Sequence, residues 1–189
     1  MPENAAPDTP AATRPHGGVS GYTLRRATPA DLPAVHRLMH EMATFEQLLD
    51  TFRATPASLA RSFFGPEPAA HCLVITPDDQ PGQLVAYVMW FHNYSSFLDR
   101  RGLYLEDVYI TPGHRGRGLG GWVLRHLAAQ ALELGCGRFE WVVLDWNQNA
   151  IDFYRHHGAE VLPDWRIVRV TGDALRRLAS PASGDAAPH

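Results

Sequence analysis

Two kinds of hydrophobic pattern predict the strands of this chain. Apolar and polar residues alternate over residues 22–27 and 165–170, as they do in strands with one buried face. Apolar runs predict strands over residues 72–75 and 84–91, the second of them apolar on both faces as in a central strand. Largely apolar stretches that contain Glu106, Asp107 and Glu140 predict strands over residues 103–110 and 139–144. The polar, aromatic stretch from His92 to Gly102 separates two of these runs and is predicted to be a loop that borders a cleft.

Helices are predicted between the strands by a different spacing. Apolar residues three and four positions apart mark helices over residues 28–45, 55–64, 119–134, 147–158 and 173–178. Thr28 is predicted to cap the first helix because Pro29 follows it, and Asn147 is predicted to cap the fourth. Strands and helices in this order predict a mixed α/β domain built on one sheet.

Composition limits the class of protein. The chain has 189 residues, 45% of them hydrophobic, which is enough for a single domain with a core, predicted over residues 21–180. Residues 1–20 and 181–189 lack periodicity and are predicted to be disordered tails. A net charge of −3 gives no preference for nucleic acid. No apolar run reaches about 18 residues, so no membrane span is predicted.

Cysteine usage and the first residues predict the compartment. Cys72 and Cys136 both lie in apolar runs, so we expect reduced core residues, with a disulfide as the less favoured alternative. The first 20 residues lack the basic-then-apolar order of a signal peptide. We therefore expect a cytoplasmic protein.

Two histidines stand at a spacing that metal sites use. His36 and His40 are four residues apart on the first predicted helix, but no third ligand accompanies them. We therefore predict no metal site, and expect both side chains on a solvated or partner-facing side of the helix.

The strongest chemical signal is a glycine- and arginine-rich turn between the 103–110 run and the third helix. It reads Arg115-Gly116-Arg117-Gly118-Leu119-Gly120, which is an arginine-x-x-glycine-x-glycine pattern. Glycines expose backbone N–H groups, and the helix that follows points its positive end back at the turn. The turn therefore predicts an anion site, most simply for a pyrophosphate.

Other phosphate-binding turns match less well. A P-loop ends in Gly-Lys-Ser/Thr, whereas all 17 basic residues of this chain are arginine. A dinucleotide-binding turn places its glycines directly after the strand. A disordered arginine–glycine RNA-binding segment and an ordinary surface turn stay open as alternatives.

A second block adds to the first. Residues 141–147 read Trp-Val-Val-Leu-Asp-Trp-Asn, and residues 150–159 read Ala-Ile-Asp-Phe-Tyr-Arg-His-His-Gly-Ala. Together with the turn, this block resembles the GCN5-related N-acetyltransferases (GNAT). The run Leu103-Tyr104-Leu105-Glu106-Asp107 makes the resemblance greatest to the diamine (spermidine/spermine-type) and thialysine acetyltransferases.

The resemblance implies a fold and an activity. The fold would be a mixed, mostly antiparallel central sheet flanked by helices. The cosubstrate would be acetyl-CoA. The acceptor would be the primary amine of a small cationic molecule: a diamine, a polyamine or a thialysine-like amino acid. Another acceptor (an antibiotic, an amino acid or a protein N-terminus) and a non-catalytic acetyl-CoA sensor are the alternatives. A homodimer is implied as well.

The resemblance also assigns residues to the cosubstrate. Backbone groups of three strand residues would meet the acetyl and pantetheine part: Val108, Tyr109 and Ile110. The pyrophosphate would bind to the turn, formed by Arg115, Gly116, Arg117, Gly118, Leu119, Gly120 and Gly121. From the second block the site would take Asn147, Ala150 and Tyr154.

Acetyl transfer to an amine needs a proton acceptor and favours a proton donor. An alkylammonium group has a pKa of about 10.4 and must lose a proton before it attacks. Glu106 is predicted to accept it, with Asp107 beside it; the family has a bulge in this strand, which can turn a side chain. Tyr154, seven residues after Asn147, is predicted to protonate the leaving sulfur. An edge-of-strand charge pair and a packed aromatic are the alternative interpretations.

The acceptor would be bound by acidic and aromatic residues. Phe45 stands where polyamine acetyltransferases carry an aromatic hydroxyl. By resemblance, the full set is Phe45, Glu46, Glu106, Asp107, Glu140, Trp141, Val142 and Asp164.

Overall fold

The computed structural model describes residues 18–180. The predictions for residues 1–17 and 181–189 lie outside the described residues. The chain divides into two compact units, one ending at Val142 and the other beginning at Val143. Within the described part, no helix combines the length and the apolar character that crossing a membrane requires.

The first unit is built on one five-stranded sheet. Its strands are β1 (Tyr22–Arg26), β2 (His71–Pro77), β3 (Ala86–Ser95), β4 (Arg100–Ile110) and β5 (Arg138–Glu140). They lie in sequence order; β1 to β4 pair antiparallel, and β5 pairs parallel to β4. The predicted mixed, mostly antiparallel sheet is therefore confirmed, and residues 86–91 of the apolar run at 84–91 lie in the central strand.

Helices form at the predicted places. They are α1 (Leu32–Phe45), α2 (Pro56–Phe64), α3 (Leu119–Glu133), α4 (Gln148–His156) and α5 (Gly172–Ala179). Thr28 begins a 3-10 turn before α1, where its N–H and hydroxyl both donate to Asp31. Thr55 caps α2 by accepting the Ser58 N–H at 3.1 Å. These caps satisfy donors that the first turn of a helix leaves unpaired.

The core of the first unit lies between the sheet and helices α1 and α2. Val35 and Leu38 of α1 and Phe63 of α2 are buried against Val74 of β2 and Tyr87 of β3. Burial of each such side chain stabilises the fold by about 1.5–3 kcal/mol. This packing fixes the end of α1 over the sheet, where the candidate site lies.

The prediction of a loop from His92 to Gly102 is wrong. The structure continues β3 to Ser95 and starts β4 at Arg100, so this stretch is a hairpin with a turn at residues 96–99. Cross-strand pairs hold it, such as Phe91 and Tyr104 with ring centroids 5.0 Å apart. Polar residues obscured the alternation because much of this hairpin is exposed.

Two other strand predictions fail in the C-terminal third. β5 ends at Glu140, so residues 141–144 are not in a strand. Residues 165–170 form no strand either, and Ile167 and Val168 are exposed. Alternation predicts which residues could face a core, but a strand also needs a neighbour with which to pair, and none pairs with 165–170 within residues 18–180.

Candidate active site

The glycine-rich turn has the backbone that its sequence predicts. Gly116 and Gly118 have φ angles of 73° and 83°, in the left-handed region that favours glycine. Gly118 is the N-cap of α3, so the turn leads directly into the N-terminus of a 15-residue helix. Exposed N–H groups and the positive end of this helix converge there, as a pyrophosphate requires.

Arg115 extends from the turn towards α1. Its Nε donates to the Ile110 carbonyl at 2.8 Å. Its guanidinium carbon lies 5.3 Å from the ring centroid of Phe45 and 5.6 Å from that of Tyr109. These distances are those of cation–π contacts. Arg115 thus connects the turn with the C-terminal end of α1, where the predicted acceptor residue Phe45 lies.

Arg117 is held on the opposite side, towards β1. Its Nη1 donates to the Tyr22 hydroxyl at 3.1 Å, and the same hydroxyl lies 2.8 Å from Nδ1 of His114. Tyr22 is the first residue of β1, so the sheet itself positions this arginine. The two guanidinium groups of the turn therefore have different supports, one from α1 and β4 and the other from β1.

The strand before the turn has one edge that no strand covers. β4 pairs with β5 only over Gly102–Tyr104, while its pairing with β3 extends to Ile110. Beyond Tyr104, no strand within residues 18–180 pairs with the second edge of β4. Val108 and Tyr109 lie in this stretch, so an extended ligand could hydrogen-bond there as an added strand would.

A β-bulge places two consecutive acidic residues at one cavity. Asp107 is opposite Met89, and Leu105 is opposite Trp90, so Glu106 is an extra residue between two consecutive pairs. Regular alternation would send Glu106 and Asp107 to opposite faces of the sheet. Instead both line the same cavity. The alternation of side chains along a strand therefore could not tell which of the two acids reaches the site.

This cavity has a volume of about 340 Å³ and opens to solvent. Three carboxylates line it, those of Glu46, Glu106 and Asp107. The other lining residues come from α1, from the loop before α2 and from β3: Met39, Met42, Ala43, Leu48, Thr51, Phe52, Arg53, Ala54 and Tyr87. A cavity that combines three carboxylates with apolar side chains of α1 and the loop suits a flexible cation with a hydrocarbon chain.

Asp107 is the most perturbed of the three carboxylates. Burial, the charge of Glu106 and, more weakly, that of Glu46 raise the pKa of Asp107 from 3.8 to about 7. The Tyr87 hydroxyl donates to Asp107 Oδ2 at 3.1 Å, which lowers this pKa in part. Burial holds the pKa of Tyr87 far above its ordinary value, so this tyrosine remains a donor. Asp107 can therefore take up or release a proton near neutral pH.

Other predicted acceptor residues lie elsewhere in the first unit. Phe45 is 46% exposed and contacts Arg115 rather than lining the cavity. Glu140 accepts from Asn93 and forms an ion pair of 3.0 Å with Arg138. Trp141 packs on Phe139 with ring centroids 4.8 Å apart, and Val142 is exposed.

The second unit carries the remaining predicted residues. Asn147 is the N-cap of α4, where its Oδ1 accepts the Ala150 N–H at 3.3 Å, so its amide N–H groups are the ones that would meet a ligand. Tyr154 lies on the same helix, with its ring 5.4 Å from that of Phe153. Asp164 is exposed in the segment after α4.

Sequence reasoning missed the cavity residues of the loop before α2. The two histidines offered a signal for them. His36 and His40 place their rings 5.4 Å and 5.9 Å from that of Phe52, and His36 Nε2 lies 3.0 Å from the Ala54 carbonyl oxygen. The pair therefore packs this loop against α1; His36 is partly buried, whereas His40 is exposed, as expected for a solvated side of the helix.

Several known proteins share sequence or fold with this chain. Residues 33–159 match the model of the Acetyltransferase (GNAT) family. The L-ornithine N5-acetyltransferase of Arabidopsis thaliana is 35% identical over 221 residues, covering 94% of this chain and 97% of that protein. The thialysine N-epsilon-acetyltransferase of Sus scrofa is 35% identical, over 85% of this chain and 99% of that protein. An integron cassette protein from V. cholerae has the same fold, with a TM-score of 0.70 at 19% identity, over 85% of this chain and 99% of that one.

Proposed function

Because the chain belongs to the GNAT acetyltransferase family, we propose that it transfers the acetyl group of acetyl-CoA to a primary amine of a small cationic acceptor. N-acetyl transfer with acetyl-CoA as cosubstrate is the activity of the family. The acceptor class is our proposal: a diamine, a polyamine or a thialysine-like amino acid. The named relatives act on ornithine and on thialysine, both of which carry such an amine.

One observation carries the acceptor class. The bulge turns Glu106 and Asp107 into one cavity that Glu46 also lines, so three carboxylates surround a space of about 340 Å³. Paired positive charge on a flexible chain is the chemistry that such a cavity stabilises. Burial also raises the pKa of Glu46, so its proton affinity rises with that of Asp107.

Glu106 and Asp107 of β4 would have different roles at the amine, one binding it and the other accepting its proton. Glu106 is the more exposed and would meet the incoming ammonium group. Asp107, with its pKa near 7, is matched to receive the proton, because a carboxylate of ordinary pKa would hold it too weakly. The neutral nitrogen then forms the new C–N bond with the acetyl carbonyl carbon and loses a second proton to solvent, as the C–S bond of the thioester breaks.

The other residues would bind the cosubstrate and serve the leaving group. Backbone N–H groups of the turn and Arg117 would hold the pyrophosphate, and the uncovered edge of β4 would hold the pantetheine. The geometry of the turn and of this edge fits acetyl-CoA. Tyr154 would give its hydroxyl proton to the sulfur and recover one from solvent, and Asn147 would donate to the pantetheine.

A thiol-release assay with acetyl-CoA tests the proposal. The panel contains spermidine, putrescine, ornithine, lysine, thialysine, an aminoglycoside and a peptide. We expect turnover on a flexible cationic amine and its loss in Glu106→Gln. Release on the aminoglycoside or the peptide alone would change the acceptor class. Acetyl-CoA binding with no release on any amine would contradict the enzyme assignment and favour a sensor.

We also propose a cytoplasmic homodimer, on family resemblance. Light scattering of the purified chain tests the oligomeric state, and a monomer at micromolar concentration would contradict it.

A further inference from the structure

We propose that Arg53 binds a carboxylate of the acceptor, so that the acceptor is an α-amino acid with a side-chain amine rather than a bare diamine or polyamine. This inference rests on the proposed acetyl transfer to a small cationic amine. It selects one acceptor class among those that the acidic cavity admits.

Among the described residues, Arg53 is the only basic one that lines the cavity. Its side chain is exposed, whereas that of Asp107 is partly buried and that of Tyr87 fully buried, so Arg53 stands towards the solvent side and Asp107 towards the interior. Nη1 of Arg53 donates to the Phe52 carbonyl at 2.9 Å. Among residues 18–180, no carboxylate forms an ion pair with it.

Three carboxylates line the same cavity as Arg53, yet none of them pairs with its guanidinium. This group is therefore available to bind a ligand. A guanidinium has five N–H donors in a fork that matches a carboxylate, and one bond to Phe52 uses only one of them. Were Arg53 present only to neutralise the cavity, an ion pair with Glu46, Glu106 or Asp107 would be the expected arrangement. The geometry instead leaves the fork available to a second negative group.

The loop that carries Arg53 is fixed on both sides. Before it, the Phe52 ring lies against His36 and His40 of α1. After it, the Ala54 carbonyl lies 3.0 Å from His36 Nε2, and Thr55 caps α2. The backbone of Arg53 is therefore preorganised, which reduces the entropy that binding must overcome.

Charge distinguishes the two acceptor classes. A bare diamine carries only positive groups, so Arg53 at the cavity entrance repels it. An amino acid such as ornithine presents a carboxylate to Arg53 while its side-chain ammonium reaches Glu106 and Asp107. One molecule then satisfies charges of both signs, with the reacting amine at the inner end.

Two pairs of amines isolate the carboxylate. Ornithine differs from putrescine, and lysine from cadaverine, by that group alone. We expect the wild-type chain to have at least a tenfold higher kcat/KM for the amino acid of each pair. Arg53→Gln should lower kcat/KM about 10- to 100-fold for the two amino acids and leave it unchanged or raised for the two diamines.

The control is Arg61→Gln, which removes an exposed arginine of α2 that lies outside the cavity. Arg61→Gln should leave the ratio of kcat/KM between the amino acid and the diamine unchanged in each pair. It removes the same charge as Arg53→Gln, so it shows whether the loss of net charge alone could cause the effect. Equal losses on both classes in Arg53→Gln, or a wild-type preference for putrescine and cadaverine, would overturn the carboxylate role. Either result leaves amine acetylation standing. No turnover on any amine, with acetyl-CoA bound, would instead overturn the proposed function, and this inference with it.

Discussion

The buried hydroxyl of Tyr87 donates a hydrogen bond of 3.1 Å to Oδ2 of Asp107, from the neighbouring strand and on the same face of the sheet. The same hydroxyl also lies 3.3 Å from the sulfur of Met42 on α1. Tyr87 thus holds the inner acid of the cavity in one orientation. The pKa of this acid near 7 leads to the first two predictions.

Asp107→Asn should remove a pH dependence of turnover. In the wild type, kcat/KM should rise with pH through about 7, as Asp107 loses its proton and becomes a base. The variant should lose this rise and show roughly a 100-fold lower plateau. Rate profiles from pH 5.5 to 9 measure both effects. Asp79→Asn, in the exposed turn after β2, is the control, and an unchanged profile in Asp107→Asn would exclude this acid as the base.

The same substitution should stabilise the fold at neutral pH. Because the folded pKa is raised, the folded chain holds a proton that the unfolded chain releases, so the contribution of Asp107 to stability falls as the pH rises from about 4 to about 7. After allowance for its partial exposure, Asp107→Asn should gain about 1 to 2 kcal/mol at pH 8 relative to pH 4. Urea unfolding at both pH values measures this. A gain that is equal at both would contradict a raised pKa.

Gly118→Ala should weaken both the fold and the binding of acetyl-CoA. The φ of 83° opposes any side chain, although the added Cβ would have only an ordinary contact with Val19 at 3.8 Å. We expect a loss of about 1 to 2 kcal/mol in thermal unfolding and a higher KM for acetyl-CoA. Gly113→Ala, in the same segment without a positive φ, should change stability by less than about 0.5 kcal/mol. Equal effects would show that the backbone angle is not the cause.

Tyr22→Phe should raise the KM for acetyl-CoA roughly three- to tenfold while kcat changes little. The variant loses the hydroxyl that accepts from Arg117 and lies beside His114, so the arginine is no longer held at the turn. Steady-state kinetics with acetyl-CoA varied give the result. Tyr94→Phe removes an exposed hydroxyl at the β3–β4 hairpin and should have no effect. A fall in kcat alone would assign Tyr22 to another step.

Tyr154→Phe should lower kcat roughly 100-fold and leave the affinity for acetyl-CoA nearly unchanged, because only the proton for the leaving sulfur is removed. Calorimetric binding and thiol release separate the two quantities. Unchanged turnover would withdraw the acid role and leave Tyr154 as a packed aromatic of α4 beside Phe153.

The turn and its helix could be predicted from the sequence because their signals are local. Gly118 needs a left-handed backbone, and Leu119 starts a periodic apolar face, whatever the rest of the chain does. Arg53 and Tyr87 gave no such signal. They reach the cavity only because α1, the following loop and β3 pack together, and no spacing along the chain records that packing.

The strand predictions show the same difference between local signals and contacts made only in the folded chain. β2 and the 103–110 part of β4 were predicted from their apolar residues, whereas the hairpin after His92 depends on pairing between β3 and β4. The segment at 165–170 has the right alternation but lacks a paired strand within the described part of the chain. Glu106 and Asp107 could be named from the sequence, while their shared cavity required the register of the two strands.

The extra residue in β4 reverses the alternation of side chains along the strand. Leu105 lies opposite Trp90 and Asp107 opposite Met89, so odd-numbered side chains point to one face before Glu106 and to the other face after it. A chain shortened by one residue here would still pair its strands and keep every apolar position up to Leu105. Its remaining acid would lie opposite Met89, and Tyr109 would stay opposite Tyr87, so only one acid of β4 would line the cavity. The length of this strand, as much as its chemistry, therefore determines whether two acids meet the substrate.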